Sequence, residues 1–333
     1  MFSKLDRTLI IAEVGNNHEG DFDVACELID KAAETGVDAV KFQTFIPERY
    51  SSVRDVTRME TLNRFRLSYD QFASLADRAH ARNLLFISTP FDLESAAFLG
   101  TIVDAVKIAS GDNTFYPLIR KAAETGKPMI ISTGLADRNE IARAVDHVTQ
   151  SWREPGIDHE LALLHCVASY PVPVEQANLA AIRSLSAAFP EQTIGYSDHT
   201  IGPEAAVLAV ALGARIIEKH FTLDTAYSDF RDHQLSADPS DMTTLVDAVR
   251  RAEAMMGTGE ITAMPCEEPM MGPVRRSIVA ARDLTAGHTV SHEDLTWVRP
   301  GGGIAPGDED QLIGRRMRRD VTHGDMITPE HLD

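Results

Sequence analysis

Apolar residues along this chain gather into eight short runs at regular intervals: LIIAEVG (9–15), AVKFQT (39–44), LLFIST (84–89), AVKIAS (105–110), PMIIST (128–133), LALLHC (161–166), TIGYSD (193–198) and RIIEKHF (215–221). Each is rich in leucine or β-branched residues with little regular polar alternation, the pattern of parallel strands covered on both faces. Between most of them lie stretches of helical periodicity, such as 23–36, 117–126, 139–150 and 203–213, several closed by a glycine that stops the helix. Eight strands with helices between, and a last helix near 240–256, predict a (β/α)8 TIM barrel over residues 1–258. A doubly wound open sheet is the alternative, but no GxGxxG follows any of the runs.

Residues 259–274 (GEITAMPCEEPMMGPV) interrupt this pattern with three prolines and two glycines and read as a linker. Residues 275–333 follow a different plan. ARDLTAGHTVSHEDL (281–295) and RRDVTHGDMITPEHL (318–332) align without a gap at an offset of 37 residues. Each copy predicts a short strand, a glycine turn and a capped helical turn, with Ser291 and Thr328 as the N-caps. Two such units predict a small pseudo-symmetric α+β domain.

Composition narrows the partners. The 333 residues carry 32 Lys and Arg against 50 Asp and Glu, a net charge of −18. An acidic chain without a basic run is unsuited to nucleic acid or to an anionic membrane surface. Cys26, Cys166 and Cys266 are odd in number and widely spaced, without a CxxC, which signals neither a disulfide framework nor a structural zinc. The apolar run near the start is too short for a signal peptide, and no stretch of about 18 apolar residues follows. A cytoplasmic setting is the expectation. The barrel and linker hold −15 of the charge, so an anionic substrate must meet its cations locally, inside the site.

In such a barrel the chemistry belongs at the carboxyl ends of the strands. The polar residues there are Glu13, Lys41, Gln43, Ser88, Thr89, Lys107, Ser110, Ser132, Thr133, His165, Tyr170, Ser197 to His199, Glu218 and His220. Lys41 and Gln43 are two apart on one strand and share a face, as do Glu218 and His220. A lysine inside a barrel is costly unless it meets an anion. Two of them, ringed by hydroxyls, describe a pocket for phosphate or a phosphorylated acid. His199 and His220 end adjacent strands about 5 Å apart, a spacing at which two neutral imidazoles can share one divalent metal. His18 is placed to brace the first loop, His233 is a weaker metal candidate, and His80, His147 and His159 read as surface residues. A second chemistry stays open: Lys41 or Lys107 could form a Schiff base, as in carbonyl-condensing barrels. Lys219 is the poorest of the three lysines, because alternation points it away from Glu218 and His220.

The ordered segments IAEVGNNHEG (11–20), VKFQT (40–44), FISTPFD (86–92), KIASGD (107–112), ISTG (131–134), HCVASYPVP (165–173), GYSDHTIG (195–202) and EKHFT (218–222) resemble the sialic acid synthase family. The segments RRSIVAARDLTAGHTV (275–290) and WVRPGGGI (297–304) resemble its antifreeze-like (SAF) domain, so the likeness spans nearly the whole chain. It implies condensation of phosphoenolpyruvate with an N-acylated amino-hexose, N-acetylmannosamine or a diacetamido-hexose, to a nonulosonic acid and phosphate. It also implies help from Mn²⁺ or another divalent ion such as Mg²⁺ or Co²⁺, and a domain-swapped homodimer. By the same resemblance Lys41, Thr89, Lys107, Ser110, Ser132 and Ser197 hold phosphoenolpyruvate, and His199 and His220 hold the metal. Gln43, Tyr170 and Arg299 face the sugar, Arg299 from the partner subunit. Glu13, Asp112, Glu218 and Asp232 are the candidate proton carriers. Asp112 and Ala168 stand where bacterial members carry Glu and Asn. A non-enzymatic carbohydrate-binding or coat-assembly protein is the remaining alternative.

Overall fold

The computed structural model describes residues 1–152 and 160–333, and the expectation for His159 lies outside them. Residues Met1–Gly257 and Thr258–Asp333 form two compact units. The first unit is a closed barrel of eight parallel strands in sequential order. They are β1 (Leu9–Gly15), β2 (Ala39–Thr44), β3 (Leu85–Pro90), β4 (Ala105–Ile108), β5 (Met129–Ser132), β6 (Leu161–Cys166), β7 (Thr193–Asp198) and β8 (Ile216–His220). The helices around it are α1 (Phe22–Glu34), α2 (Pro47–Tyr50), α3 (Val56–Phe65), α4 (Tyr69–Ala81), α5 (Leu93–Leu99), α6 (Tyr116–Ala123), α7 (Arg138–Trp152), α8 (Ala181–Ala188), α9 (Glu204–Ala211), α10 (Arg231–Leu235) and α11 (Pro239–Met256). Local chemistry starts and stops them. Asp21 and Asp92 cap α1 and α5, Ser68 and Gln71 form a reciprocal capping box on α4, and Gly36, Gly126 and Gly213 take the left-handed conformation just beyond helix ends.

Strand alternation sorts the side chains into two environments. One set of positions packs against the helices as the large core that includes Ile10, Val40, Phe86, Val106, Ile131, Leu163 and Ile217. The other set faces the barrel axis. At the amino-terminal side it is apolar, with Leu9, Ile11, Ala39, Ile87, Ala105, Ile130, Ala162, Leu164 and Ile216 in one cluster closed by Phe2. Two residues further along each strand the same inward series turns polar: Glu13, Lys41, Thr89, Lys107, Ser132, Ser197 and Glu218. The barrel is therefore a filled apolar plug that carries a polar layer at the carboxyl ends of its strands.

The second unit contains β9 (Ser277–Ala280) paired antiparallel with β10 (Leu295–Val298) around its own apolar core. The sequence repeat is a structural two-fold. Leu284 and Val321, which correspond across the offset, exchange both backbone hydrogen bonds at 2.8 Å. Gly287 donates to the Met317 carbonyl as Gly324 donates to that of Ala280. The Asp320 carboxylate accepts from the Ala286 N–H as that of Asp283 accepts from His323. Ser291 and Thr328 cap equivalent 3₁₀ turns. The predicted linker is more ordered than its composition suggested: Pro265–Glu267 is a 3₁₀ turn and Glu268–Val274 a short helix, α12. Its early prolines fit because a first turn needs no N–H donor there.

Gly195 sits on the inward face of β7, where a Cβ would lie 2.5 Å from both the Ile216 carbonyl oxygen and Leu164 Cδ2. Gly195→Ala is expected to destabilise the barrel by about 1–3 kcal/mol through overpacking. Equilibrium denaturation checks this, and an unchanged midpoint would contradict so tight a packing.

Candidate active site

The polar layer lines a cavity of about 770 Å³. The barrel residues to which the resemblance gives a role all meet there: Glu13, Lys41, Gln43, Thr89, Lys107, Ser110, Asp112, Ser132, Tyr170, Ser197, His199, Glu218, His220 and Asp232. Arg299 does not belong to this set; it is exposed in the second unit, just beyond β10. The cavity also takes residues that the sequence reading passed over. Cys166 continues the inward series of β6 after Ala162 and Leu164, so alternation alone would have found it. Tyr50, Arg58, Thr61 and Leu62 come from α2 and α3, a long excursion between β2 and α4. Only the length of that connection signals it.

Four charges lie at the base of the cavity. Lys41 Nζ is 2.7 Å from Glu13 Oε2 and 3.6 Å from Glu218 Oε1, and Lys107 Nζ is 3.7 Å from the same Glu218 oxygen. All four side chains are buried. Hydroxyls and amides complete the set: Lys41 donates to Thr89 Oγ1 at 3.3 Å, Lys107 to Ser132 Oγ at 2.7 Å, Ser197 to Glu218 Oε1 at 3.1 Å, and Gln43 Nε2 to Glu13 Oε1 at 3.1 Å. Glu218 Oε2 is buried without a hydrogen-bond partner. Ser110 Oγ accepts from the Gly134 N–H at 3.2 Å, and a side chain at Gly134 would collide with it.

The environments push matched groups apart. Burial raises the Glu13 carboxyl above its usual range, with Lys41 pulling against it. For Glu218 burial works in the same direction, but Lys107 and Lys41 outweigh it and hold the group low. Burial lowers Lys107, whereas in Lys41 the two carboxylates overcome burial and raise it. Burial likewise raises Asp232, against the pull of Arg231.

His199 and His220 stand with ring centroids 5.4 Å apart, beneath the Tyr170 ring. His199 engages the Val167 carbonyl through Nδ1 at 2.8 Å, which leaves Nε2 free. Burial holds His220 well below its ordinary value, helped by the charges of His199 and Lys41, and its Nδ1 is buried without a partner. A neutral imidazole with an unused nitrogen beside a second imidazole suits a divalent ion. Burial lowers His199, but Cys166 and the Val167 carbonyl outweigh it and raise the group, so a metal there would compete with a proton. Among the described residues no group of three His, Cys, Asp or Glu is arranged to hold a metal. Two histidines alone would hold the ion, with its other positions left to water and substrate.

Several neighbours turn out to face elsewhere. Ser88 points outward to Thr44 Oγ1 and the Phe42 carbonyl, and His165 stacks on Tyr196. Lys219 also points outward, as alternation requires, and pairs with Asp198 at 2.9 Å. His18 braces the first loop by accepting from the Gly20 N–H. His233 is held by Thr222 and Glu19 and does not line the cavity. His80 is exposed, while His147 is half-buried against the Tyr116 ring rather than on the surface.

Comparison with known proteins covers both units of the chain. The model of the NeuB family matches residues 28–261, and that of the SAF domain matches 275–333. An N,N'-diacetyllegionaminic acid synthase of Legionella pneumophila is 38% identical over 97% of this chain and 94% of its own. The solved N-acetylneuraminic acid synthetase of Leptospira borgpetersenii superimposes with a TM-score of 0.74 at 36% identity, covering 80% of this chain and 90% of that one. A putative spore coat polysaccharide biosynthesis protein E of Chromobacterium violaceum reaches a TM-score of 0.82 at 27% identity, over 98% of this chain and 100% of that one.

Burial pushes the half-buried Asp112 up to about 6. Its native carboxyl therefore keeps a proton that the unfolded chain has lost, and stability falls as pH rises through the window from about 4 to 6. With solvent screening allowed for, the loss is about 1–2 kcal/mol. Asp112→Asn is expected to match the parent in thermal midpoint near pH 4 and to exceed it above about pH 7. A gap that does not widen across that window would contradict the assignment.

Proposed function

The chain belongs to the NeuB family, and from that premise we propose that it is a nonulosonic acid synthase. It condenses phosphoenolpyruvate with an N-acylated amino-hexose, N-acetylmannosamine or a diacetamido-hexose, and with water gives the nine-carbon sugar acid and inorganic phosphate. The observation that carries this reading is the pair of buried lysines ringed by hydroxyls in the cavity that also holds two adjacent histidines.

The chemistry follows from what each group can do. Lys41 and Lys107, with Thr89, Ser110, Ser132 and Ser197, bind the phosphate and carboxylate of phosphoenolpyruvate, a preorganised set of donors shielded from water. Gln43, Tyr170 and Asp232 orient the open-chain sugar so that its aldehyde faces the enol carbon. A new carbon–carbon bond forms between them, and positive charge develops at the carbon bearing the phosphate. His199 and His220 would hold a divalent ion, Mn²⁺ or a similar one, which when bound polarises the aldehyde as a Lewis acid. Glu13, kept towards its neutral form by burial, is suited to protonate the new alkoxide. Glu218, kept ionised by two lysines and with one oxygen free, is suited to take a proton from the water that adds. The tetrahedral adduct then expels phosphate by cleavage of the C–O bond, leaving the keto acid.

The test is phosphate release from phosphoenolpyruvate with a panel of N-acetylmannosamine and diacetamido-hexoses. Turnover is expected to vanish with EDTA, to return with Mn²⁺, and to fall at least about 100-fold in folded His199→Ala and His220→Ala proteins. Covalent trapping of Lys41 or Lys107 by borohydride would point instead to a Schiff-base aldolase, and release with no sugar in the panel would remove the synthase reading.

As the second part of the proposal, the chain works as a domain-swapped homodimer in which Arg299 of one subunit contacts the sugar bound in the other. Arg299→Ala is expected to raise the KM for the sugar about tenfold, the loss of one charged hydrogen bond, with little effect on that for phosphoenolpyruvate. Equal changes in both would argue against such a lid.

A further inference from the structure

A second cavity of about 480 Å³ adjoins the catalytic one and is lined by residues of α7, α8 and the end of β6. Leu135, Cys166 and Ala168 line both cavities and so form the seam between them. Beyond the seam the wall is mainly apolar, with Ile141, Leu185 and Phe189, and exposed Arg138 is its one arginine or lysine. Thr133, His165, Asn178 and Ser184 supply the rest of its polar lining, and an alkyl group that entered would be removed from water.

Backbone strain marks the same place. Four non-glycine residues among those described have left-handed backbone, and two of them, Leu135 at φ 64° and Asn178 at φ 45°, line this cavity. Asparagine adopts that conformation readily, but leucine does so against a steric penalty. Leu135 is also 78% exposed, an apolar side chain held towards water at the boundary of a reaction site. Strain of this kind gathers where a ligand is clamped. Of the three residues that line both cavities, Ala168 has the smallest side chain, a single methyl group.

We propose that the second cavity receives the apolar end of an N-acyl substituent of the sugar substrate, which crosses the seam at Ala168 while the sugar ring stays in the catalytic cavity. This rests on the synthase reading and deepens it: the substrate class is hexoses whose N-acyl chain tolerates lengthening. The amide stays at the seam, near the polar groups of the catalytic cavity, and Leu135 closes over the alkyl part.

The experiment uses the full-length protein and hexosamines carrying N-acetyl, N-propanoyl or N-butanoyl groups. Binding is measured by calorimetry and turnover by phosphate release. Affinity of the parent is expected to rise up to about fourfold per added methylene, the equivalent of about 0.8 kcal/mol of apolar burial. Two variants fill the chamber from opposite sides, Ala168→Phe at the seam and Ser184→Phe from the exposed face of α8, where the barrel core is untouched. In either one the gain is expected to disappear, so that the butanoyl sugar binds no better than the acetyl one. Affinity that falls with each methylene in the parent, or that rises equally in the variants, overturns the chamber. Tighter binding of longer acyl groups without phosphate release keeps the chamber and removes the synthase reading, and phosphate release with binding blind to acyl length does the reverse. No binding of any acyl-hexose overturns both.

Discussion

Two lysines and two glutamates buried at the base of one cavity set the terms for the rest of this barrel. An ion of that kind costs several kcal/mol to bury unless it is paired. Lys41, Glu13, Glu218 and Lys107 meet that condition only as a group, because Glu218 Oε1 lies 3.6 Å and 3.7 Å from the two ammonium groups. Lys41 has three partners in Glu13, Glu218 and Thr89, whereas Lys107 has its shortest contact with the Ser132 hydroxyl rather than with a carboxylate. With Glu13 held towards its neutral form, two ammonium groups face one firmly ionised carboxylate, and the site can still accept an anion. The same coupling separates the two glutamates, one raised and one lowered, without any difference in residue type.

A second buried ion pair, on the opposite face of the strands, supports the first. Lys219 and Asp198 are adjacent in register on β8 and β7. Asp198 Oδ1 accepts from the Thr200 N–H and hydroxyl at 2.8 and 2.7 Å, and Lys219 donates to the carbonyls of Thr200 and Gly202. His199 is thus held by its chain neighbours on the outside while its own ring turns to the cavity. Charge buried for structure and charge buried for chemistry are separated by one strand thickness, and alternation keeps them from interfering.

Much of this was legible in the sequence because period-two alternation is a strong rule. Once a strand is placed, Lys41 with Gln43 and Glu218 with His220 must share a face, and Lys219 must leave it. Where the reading named whole strand ends without applying the rule, as at Ser88 and His165, it included residues that turn outward. Where it treated cysteines only as redox markers, it passed over Cys166 on the inward face. The rim from α2 and α3 was out of reach for another reason: its contact with the cavity depends on how an irregular excursion folds back, and no local periodicity encodes that. The C-terminal repeat was the opposite case. A gapless offset of 37 residues carried the turn chemistry of both copies, and Leu284 and Val321, which correspond across that offset, meet as an antiparallel pair that exchanges both backbone bonds.

The overall charge of −18 looks unfavourable for a doubly or triply anionic substrate such as phosphoenolpyruvate, yet distance and dielectric resolve the conflict. Surface carboxylates act through water and are screened beyond about 8 Å at physiological ionic strength. The lysines at the cavity base act across a few ångströms of poorly polarisable surroundings, where the same charge has several times the effect. The acidic exterior therefore lowers the rate of encounter more than it lowers affinity once the anion has entered. It also makes the site selective. On the proposed reading an anion gains only if it reaches the base of the cavity and aligns with Thr89, Ser132 and Ser197 as well as the two lysines, a requirement that a small, rigid, phosphorylated acid meets and a bulky polyanion does not.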